Sequence, residues 1–244
     1  YATGEVHGNA STGALVGYNA GVVRDSFWKS ESLAAGIAEN EGTLSNVRGL
    51  SAAQMRSQAS FDGWEMASTG GSHAVWRIYE GQTAPLLRSF LSALTVTSDG
   101  VSKTYDGKLY VGGLNNVQYS VAGAASSVLV LSAAGGAYGN ARNAGSHQAG
   151  GSYLYSSQQG YDIDLQAGAL TINRAVLNLD GMRTYDGGRD IAAGLLTLRG
   201  LVSGENLVLS GSGILDNKNV GANKHINNGT LMLADGQGGL AGNY

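Results

Sequence analysis

This chain of 244 residues has no cysteine, a single proline (Pro85) and only 33 charged residues, 15 basic and 18 acidic. Without cysteine there is no disulfide framework and no thiolate nucleophile. The absence fits either a reducing compartment or export as an unfolded chain, in which an early crosslink would jam passage. A net charge of −3 argues against a nucleic-acid surface, which is recognised by a basic stripe. No apolar run approaches the roughly 18 residues that a spanning helix needs. The opening YATGEVHGNA lacks the basic start and apolar stretch of a signal peptide, so localisation is not written in a targeting signal. Both ends read as cut from something longer.

Glycine fills the space left by charge. Its 39 positions are about twice the usual share of roughly 7%. They punctuate short Val, Leu, Thr and Ser runs, the pattern of tight turns joining short strands. The expected class is all-β, and three textures divide the chain. Residues 1–45 place Gly4, Gly8, Gly13, Gly17 and Gly21 around GALVGYNAGVVRDSFW. Apolar pairs between glycines fit narrow strands turning sharply, as at the end of a β-solenoid. Residues 46–94 form a capping segment. Ser51 and Gln54 make a capping-box signature, and Ala52, Met55 and Ala59 fall on one helical face. Trp64, Trp76, Tyr79 and Phe90 supply a bulky plug of the kind an open solenoid end requires.

The remainder repeats itself. KTYDG begins at Lys103 and RTYDG at Arg183. Tyr105 to Tyr185 is 80 positions, Leu129 to Leu207 is 78, and Asn143 to Asn219 is 76. Preserved order with a slow drift is what loop-length differences produce between two copies of one module. The expectation is therefore two related small β-rich modules in tandem, residues 95–175 and 176–244, each a β-sandwich or β-grasp-like fold. The stretch NRAVLNLDGM reads as the linker, and GLVSGEN at Gly200 as the place for a helical turn. The second copy has no counterpart of GALTI after Tyr244, which predicts a missing last strand and an unpaired edge.

The Tyr-Asp-Gly elements, Tyr105-Asp106-Gly107 and Tyr185-Asp186-Gly187, read as structural motifs. The carboxylate accepts backbone N–H bonds while glycine takes positive φ. The tyrosine packs its ring on the module and leaves its hydroxyl at the rim. Catalysis finds little to work with. His7, His73, His147 and His225 are scattered and none has a second histidine at metal spacing. No Gly-x-Ser-x-Gly elbow occurs. Asp162 and Asp164 share a strand face but read as a solvated one beside Ile163 and Leu165. The expectation is no enzyme, no cofactor and no metal. Lys103, Lys218 and Lys224 lie near asparagines and acids, where a Lys–Asn amide competes with an ordinary polar hairpin. Tyr153, Tyr155 and Tyr161 are the candidates for stacking on a sugar, against the plainer reading of half-buried sheet tyrosines.

GALVGYNAGVVRDSFW resembles the GLUG motif of large bacterial surface proteins. VWRIYEGQTAPLLRSFLSALTVT resembles the segment that follows such coils in two-partner-secretion exoproteins of the filamentous-haemagglutinin type. RTYDG with DNKNVGANKHI and LAGNY is similar to the YDG module of those proteins, and KTYDG with GYDIDLQAGALTI to the related MBG module. The resemblance implies a secreted, biofilm-matrix or attachment adhesin at the surface of a Gram-negative bacterium. It also implies export in unfolded form, which accounts for the missing cysteines. The export-signal domain of such proteins is not in this sequence. The function expected is a stalk segment mediating attachment or aggregation. The rival is a module that grips a matrix or host polysaccharide. The partners expected are neighbouring modules of the same polypeptide and, for the rival, a glycan.

Overall fold

The computed structural model describes residues 1–121, 131–133, 136–151, 153–156 and 160–244. The landmark Leu129 lies outside the described residues. Among them the chain is all-β: short strands and five three-residue 3-10 turns, with no α-helix.

The first strands are β1 (Val16–Asn19), β2 (Val22–Lys29), β3 (Ile37–Asn40) and β4 (Thr43–Leu50). β1 pairs in parallel with β3, and β2 with β4. Both pairs keep one offset of 21 residues: Val16 opposite Ile37, Val22 opposite Thr43, Lys29 opposite Leu50. Side chains obey the same offset. Asn19 Nδ2 donates to Asn40 Oδ1 at 2.7 Å, and Asn46 Nδ2 donates to Asp25 Oδ1 at 2.8 Å. Asp25 and Asn46 both sit at positive φ, 44° and 51°, a conformation that short polar side chains tolerate better than others. The same left-handed bend is therefore built at the matching position of both strands.

After β4 the capping box forms. The Gln54 N–H donates to Ser51 Oγ at 3.2 Å and the Ser51 N–H to Gln54 Oε1 at 2.9 Å. The helix it opens is only the 3-10 turn Gln54–Arg56, because Ser57 returns to extended backbone (φ −116°, ψ 125°). A single turn has no i+4 neighbour, so the expected helical face does not exist: Met55 is buried, while Ala59 is exposed. Met55 joins Phe27, Leu50, Phe61 and Ile78 in a core with Trp64 and Met66 against it. Phe27 meets Phe61 edge-on at 5.1 Å, and Trp64 stacks on Trp76 at 4.3 Å. Three two-residue strands come next, β5 (Met66–Ala67), β6 (Trp76–Arg77) and β7 (Leu86–Leu87), in the order β5-β6-β7.

After them lie β8 (Ser92–Asp99), β9 (Val101–Thr104), β10 (Asn115–Val121), β11 (Leu131–Ala133), β12 (Gly145–His147), β13 (Leu154–Ser156), β14 (Tyr161–Ala167) and β15 (Leu170–Asn173). β8 is central in its sheet, antiparallel to β10 and parallel to β14. β15 is central in another, antiparallel to β12 and parallel to β9.

The last strands are β16 (Asn178–Gly181), β17 (Asp190–Ala192), β18 (Leu196–Arg199), β19 (Leu207–Ser210), β20 (Ser212–Leu215), β21 (Ile226–Asn227) and β22 (Met232–Asp235). They make three sheets, β16-β18, β17-β20-β21 and β19-β22. The pairs β16-β18 and β19-β22 are antiparallel, as are β8-β10 and β11-β13. Two local expectations change. The stretch read as a linker contains β16, held to β18 by Arg199 donating to Asp180 at 2.8 Å. The helical turn is Ala193–Leu195 rather than the Gly200 region. Gly200 instead turns the chain at φ +95°, where a Cβ would lie 2.7 Å from the Val176 carbonyl oxygen.

The strands gather into two compact units. The first comprises Tyr1–Asp99, Gly112–Gly139 and Ala149–Gly168; the second comprises Gly100–Val111, Asn140–Gln148 and Ala169–Tyr244. Residues 95–175 thus contribute strands to both. The first unit holds the Phe27 core and a second one of Tyr79, Leu94, Val96, Leu154 and Ile163. In the second unit Tyr105, Leu170, Ile172, Ile191, Leu207 and Leu215 are buried.

Candidate functional site

The two Tyr-Asp-Gly elements fold as the same turn. Lys103 Nζ lies 2.6 Å from Asp106 Oδ1, which also accepts the Lys108 N–H at 3.0 Å. Eighty positions on, Arg183 Nη2 lies 2.7 Å from Asp186 Oδ1, which accepts the Gly188 N–H at 2.8 Å. Gly107 has φ +72° and Gly187 φ +80°. The basic residue three positions before the aspartate is therefore part of the device, closing over the carboxylate from the far side. Asp106 is held below the ordinary carboxylate range by the Lys103 ammonium and then by the Lys108 N–H. Asp186 is held below it by the Gly188 N–H, with Arg183 adding to the effect.

The tyrosines between these residues part company. Tyr105 is 5% exposed and Tyr185 57%. Tyr105 is covered by a cluster built around Glu205 and Tyr244. Its hydroxyl donates to Glu205 Oε1, and its ring meets Tyr244 edge-on at 5.6 Å. The Tyr244 hydroxyl donates to Glu205 Oε2 at 2.7 Å and accepts the Val202 N–H at 2.9 Å. Arg142 Nη2 stands 3.3 Å from Glu205 Oε1. Asn243 ties in the rest, accepting the Ala144 N–H on Oδ1 at 2.8 Å and the Ala175 N–H on its carbonyl at 2.9 Å. The Glu205 side chain is almost wholly buried. Burial alone would raise its pKa, but the two phenol donors and Arg142 outweigh it and hold the carboxylate below its usual range. Burial, then the Glu205 carboxylate, push Tyr105 upward. Burial likewise raises Tyr244, with Glu205 adding to it. A carboxylate flanked by two neutral phenols is a stable lock, with every oxygen of the trio partnered.

A third turn shares the residue order and the closing glycine but has other partners: its arginine pairs with Asp162, and its acid, Glu80, accepts the Gln58 N–H at 2.9 Å. Arg77-Ile78-Tyr79-Glu80-Gly81 has the same order of basic, aromatic, acidic and glycine residues, and Gly81 has φ +75°. Tyr79 has no exposed surface. Its hydroxyl donates to the Tyr161 carbonyl at 2.6 Å and accepts the Ile163 N–H at 3.0 Å. Here too the tyrosine is capped by residues that close the following strand set.

Asp162, expected on a solvated face, is buried. β14 is covered on both sides at this point, so strict alternation fails. Its carboxylate lies 3.3 Å from Arg77 Nε and pairs with Arg88 Nη1. The contact to Arg77 is within ion-pair distance although its angle is too bent for a hydrogen bond. The Arg77 guanidinium also covers the Tyr79 ring at 3.9 Å, and burial lowers its pKa. Asp164 is hydrogen-bonded by Gln166 at 3.0 Å, so the two acids do not work as a pair.

Tyr153, Tyr155 and Tyr161 do come together, half-buried against Leu94, Val96 and Ile163. Their rings are partly committed to that core. Trp64 and Trp76 are occupied in the aromatic cluster, where Trp64 Nε1 donates to the Asp25 carbonyl at 2.8 Å. Lys224 Nζ reaches Asn217 Oδ1 on an exposed loop, with Asp216 at 3.8 Å. Among the described residues no three His, Asp or Glu side chains converge as a metal site. No helix among them is long and apolar enough to cross a membrane.

No curated protein and no solved structure matches the chain. A family match falls on the part of the molecule that carries Tyr185, Glu205 and Tyr244: residues 167–244 match the YDG domain.

Proposed function

We propose that this chain is a structural segment of a large secreted bacterial surface adhesin of the filamentous-haemagglutinin type. Its modules stack in series and hold a distal part away from the cell. The observation that carries this reading is the repeated tyrosine lock: Tyr79 and Tyr105 are each buried by residues that close the copy following them. Such locks join successive modules without any chemistry on a ligand. The 21-residue parallel offset of β1-β3 and β2-β4 supports a solenoid end at residues 1–45. The YDG match and the absence of cysteine support a secreted or cell-surface location reached by export as an unfolded chain.

The test is replacement. In cells displaying the parent protein, exchanging these residues for an unrelated β-module of equal length preserves attachment and aggregation if the segment is a spacer. Loss of attachment with normal display would overturn the spacer role. The second reading, a glycan grip, draws on the gathering of Tyr153, Tyr155 and Tyr161. It requires polysaccharide retention by the immobilised fragment that Tyr155→Ala abolishes.

A further inference from the structure

We propose that the face carrying Tyr185 is the seat of a further YDG-type module, whose counterparts of Glu205 and Tyr244 close on Tyr185 as those residues close on Tyr105. The inference rests on the serial-module reading and names the surface through which the series continues.

The Tyr105 and Tyr185 turns share one local design, and the tyrosines at the three glycine-closed turns differ in cover. Tyr79 is 0% exposed, Tyr105 5% and Tyr185 57%. Local geometry does not explain the third value. The Arg183–Asp186 clamp, the bond from the Gly188 N–H and the positive φ of Gly187 all reproduce the first copy. What differs is the cover. A Cβ on Gly107 would lie 2.6 Å from Val202 Cγ1, whereas one on Gly187 would meet nothing within 4 Å.

The strands around the turn lack the same partners. β9, leading into Tyr105, pairs in parallel with β15. Met182–Thr184, leading into Tyr185, pairs with no strand among the described residues. Among the described residues β8 is paired on both edges and β16 on one. In place of a partner there is a groove of about 560 Å³ lined by Met182, Arg183, Thr184, Ala192 and Leu195 together with Asp186 and Asp190. Met182 is 85% exposed, an apolar side chain at the position that Ser102 occupies in β9. Unpaired strand edges and clustered exposed apolar groups mark a docking surface. The chemistry needed to fill it is already present once in the molecule: a parallel strand along Met182–Thr184, and a carboxylate with a phenol over Tyr185. A second copy of this chain does not offer that set, because its own Tyr105 occupies Glu205 and Tyr244. A module with a free Glu–Tyr pair does.

The experiment extends the chain by its own sequence. Residues 162–244 are appended after Tyr244, which then leads into Asp162 as Tyr161 does. The appended copy carries Tyr185→Phe, so that only the internal turn yields the reporting peptide. Tetranitromethane nitration read by peptide mass spectrometry measures the access of Tyr185, with Tyr18 and Tyr119 as exposed controls. The expected result is nitration about tenfold slower than in the 244-residue chain, the ratio of 57% to 5% exposure of a phenol that packs when covered. Glu205→Ala in the appended copy alone should restore it. If the appended copy shows native amide-exchange protection and Tyr185 nitrates as before, the docking is wrong and the serial reading stands. If the appended copy exchanges as an unfolded chain, both fall. Protection of Tyr185 in the unextended chain that grows with concentration would give the face to a second molecule and overturn the proposal.

Discussion

Glu205→Ala removes the acceptor that Tyr105 and Tyr244 share. A hydrogen bond to a charged group contributes about 1.5–3 kcal/mol, and the donor left behind in a buried place adds to the loss. Tyr105 is nearly fully buried and Tyr244 half-buried, so the first phenol counts in full and the second in part. Arg142 is about half exposed, and its loss of a partner costs no more than about 0.5 kcal/mol. The expected loss is about 3–4 kcal/mol for Glu205→Ala. It is about 1–2 kcal/mol for Glu205→Gln, which keeps one oxygen and a planar amide. All three tryptophans, Trp28, Trp64 and Trp76, lie in the first unit, so tryptophan fluorescence does not report this site directly. Amide hydrogen exchange does. Peptides covering β15 and β19–β20 in the second unit should exchange roughly 150- to 700-fold faster in the alanine variant, since each 1.4 kcal/mol is tenfold in an opening equilibrium. Exchange within about twofold of the wild type would refute the reasoning, for the trio would then hold nothing.

The same cluster fixes a pH window. Glu205 is held low, so its contribution is fully present above the ordinary glutamate value and is lost as pH falls through the folded-state pKa. Tyr105 and Tyr244 are held high, so theirs is present below about 10 and is lost above it. Protection of the second unit should therefore be flat between about pH 5 and 9, with Glu205→Gln flattening the acid limb. Gly107→Ala should cost about 2–3 kcal/mol and Gly187→Ala about 1 kcal/mol, because only the first meets Val202; urea unfolding monitored by tyrosine circular dichroism compares them. Asp162→Asn, which strips the charge between Arg77 and Arg88, should lower first-unit stability by about 3–5 kcal/mol in a tryptophan-detected urea titration. Intact mass should equal the sequence value. A deficit of about 17 Da, the loss of ammonia when a lysine amine displaces an asparagine amide nitrogen, would instead show Lys224 joined to Asn217.

Local chemistry was readable in the sequence, and distant partnership was not. The Lys103 and Arg183 turns could be read because an Asp-Gly pair dictates its own backbone within four residues. The role of the basic residue escaped, since nothing in one dimension shows a side chain folding back by three positions. The Arg77–Gly81 turn escaped because Ile78 and Glu80 replace threonine and aspartate, and because Tyr79 reads as one more aromatic in a plug. Glu205 carries no signal at all: it is one acid among eighteen, and it matters because Tyr105 arrives from 100 residues away. Asp162 misled for a different reason. Alternation assumes one solvated face, and a strand buried on both faces at one point breaks that assumption. The capping box predicted its two hydrogen bonds correctly but not the length of the helix, which Ser57 ends after one turn by returning to extended backbone.

If modules held in series by tyrosine locks are the purpose of the chain, the locks must resist tension along the polypeptide. Pulling single molecules between residues 1 and 244 measures this directly. The expected record shows the second unit yielding at a distinct force that falls clearly in Glu205→Ala, while the first-unit event stays where it was. Force curves identical for wild type and Glu205→Ala would contradict the account.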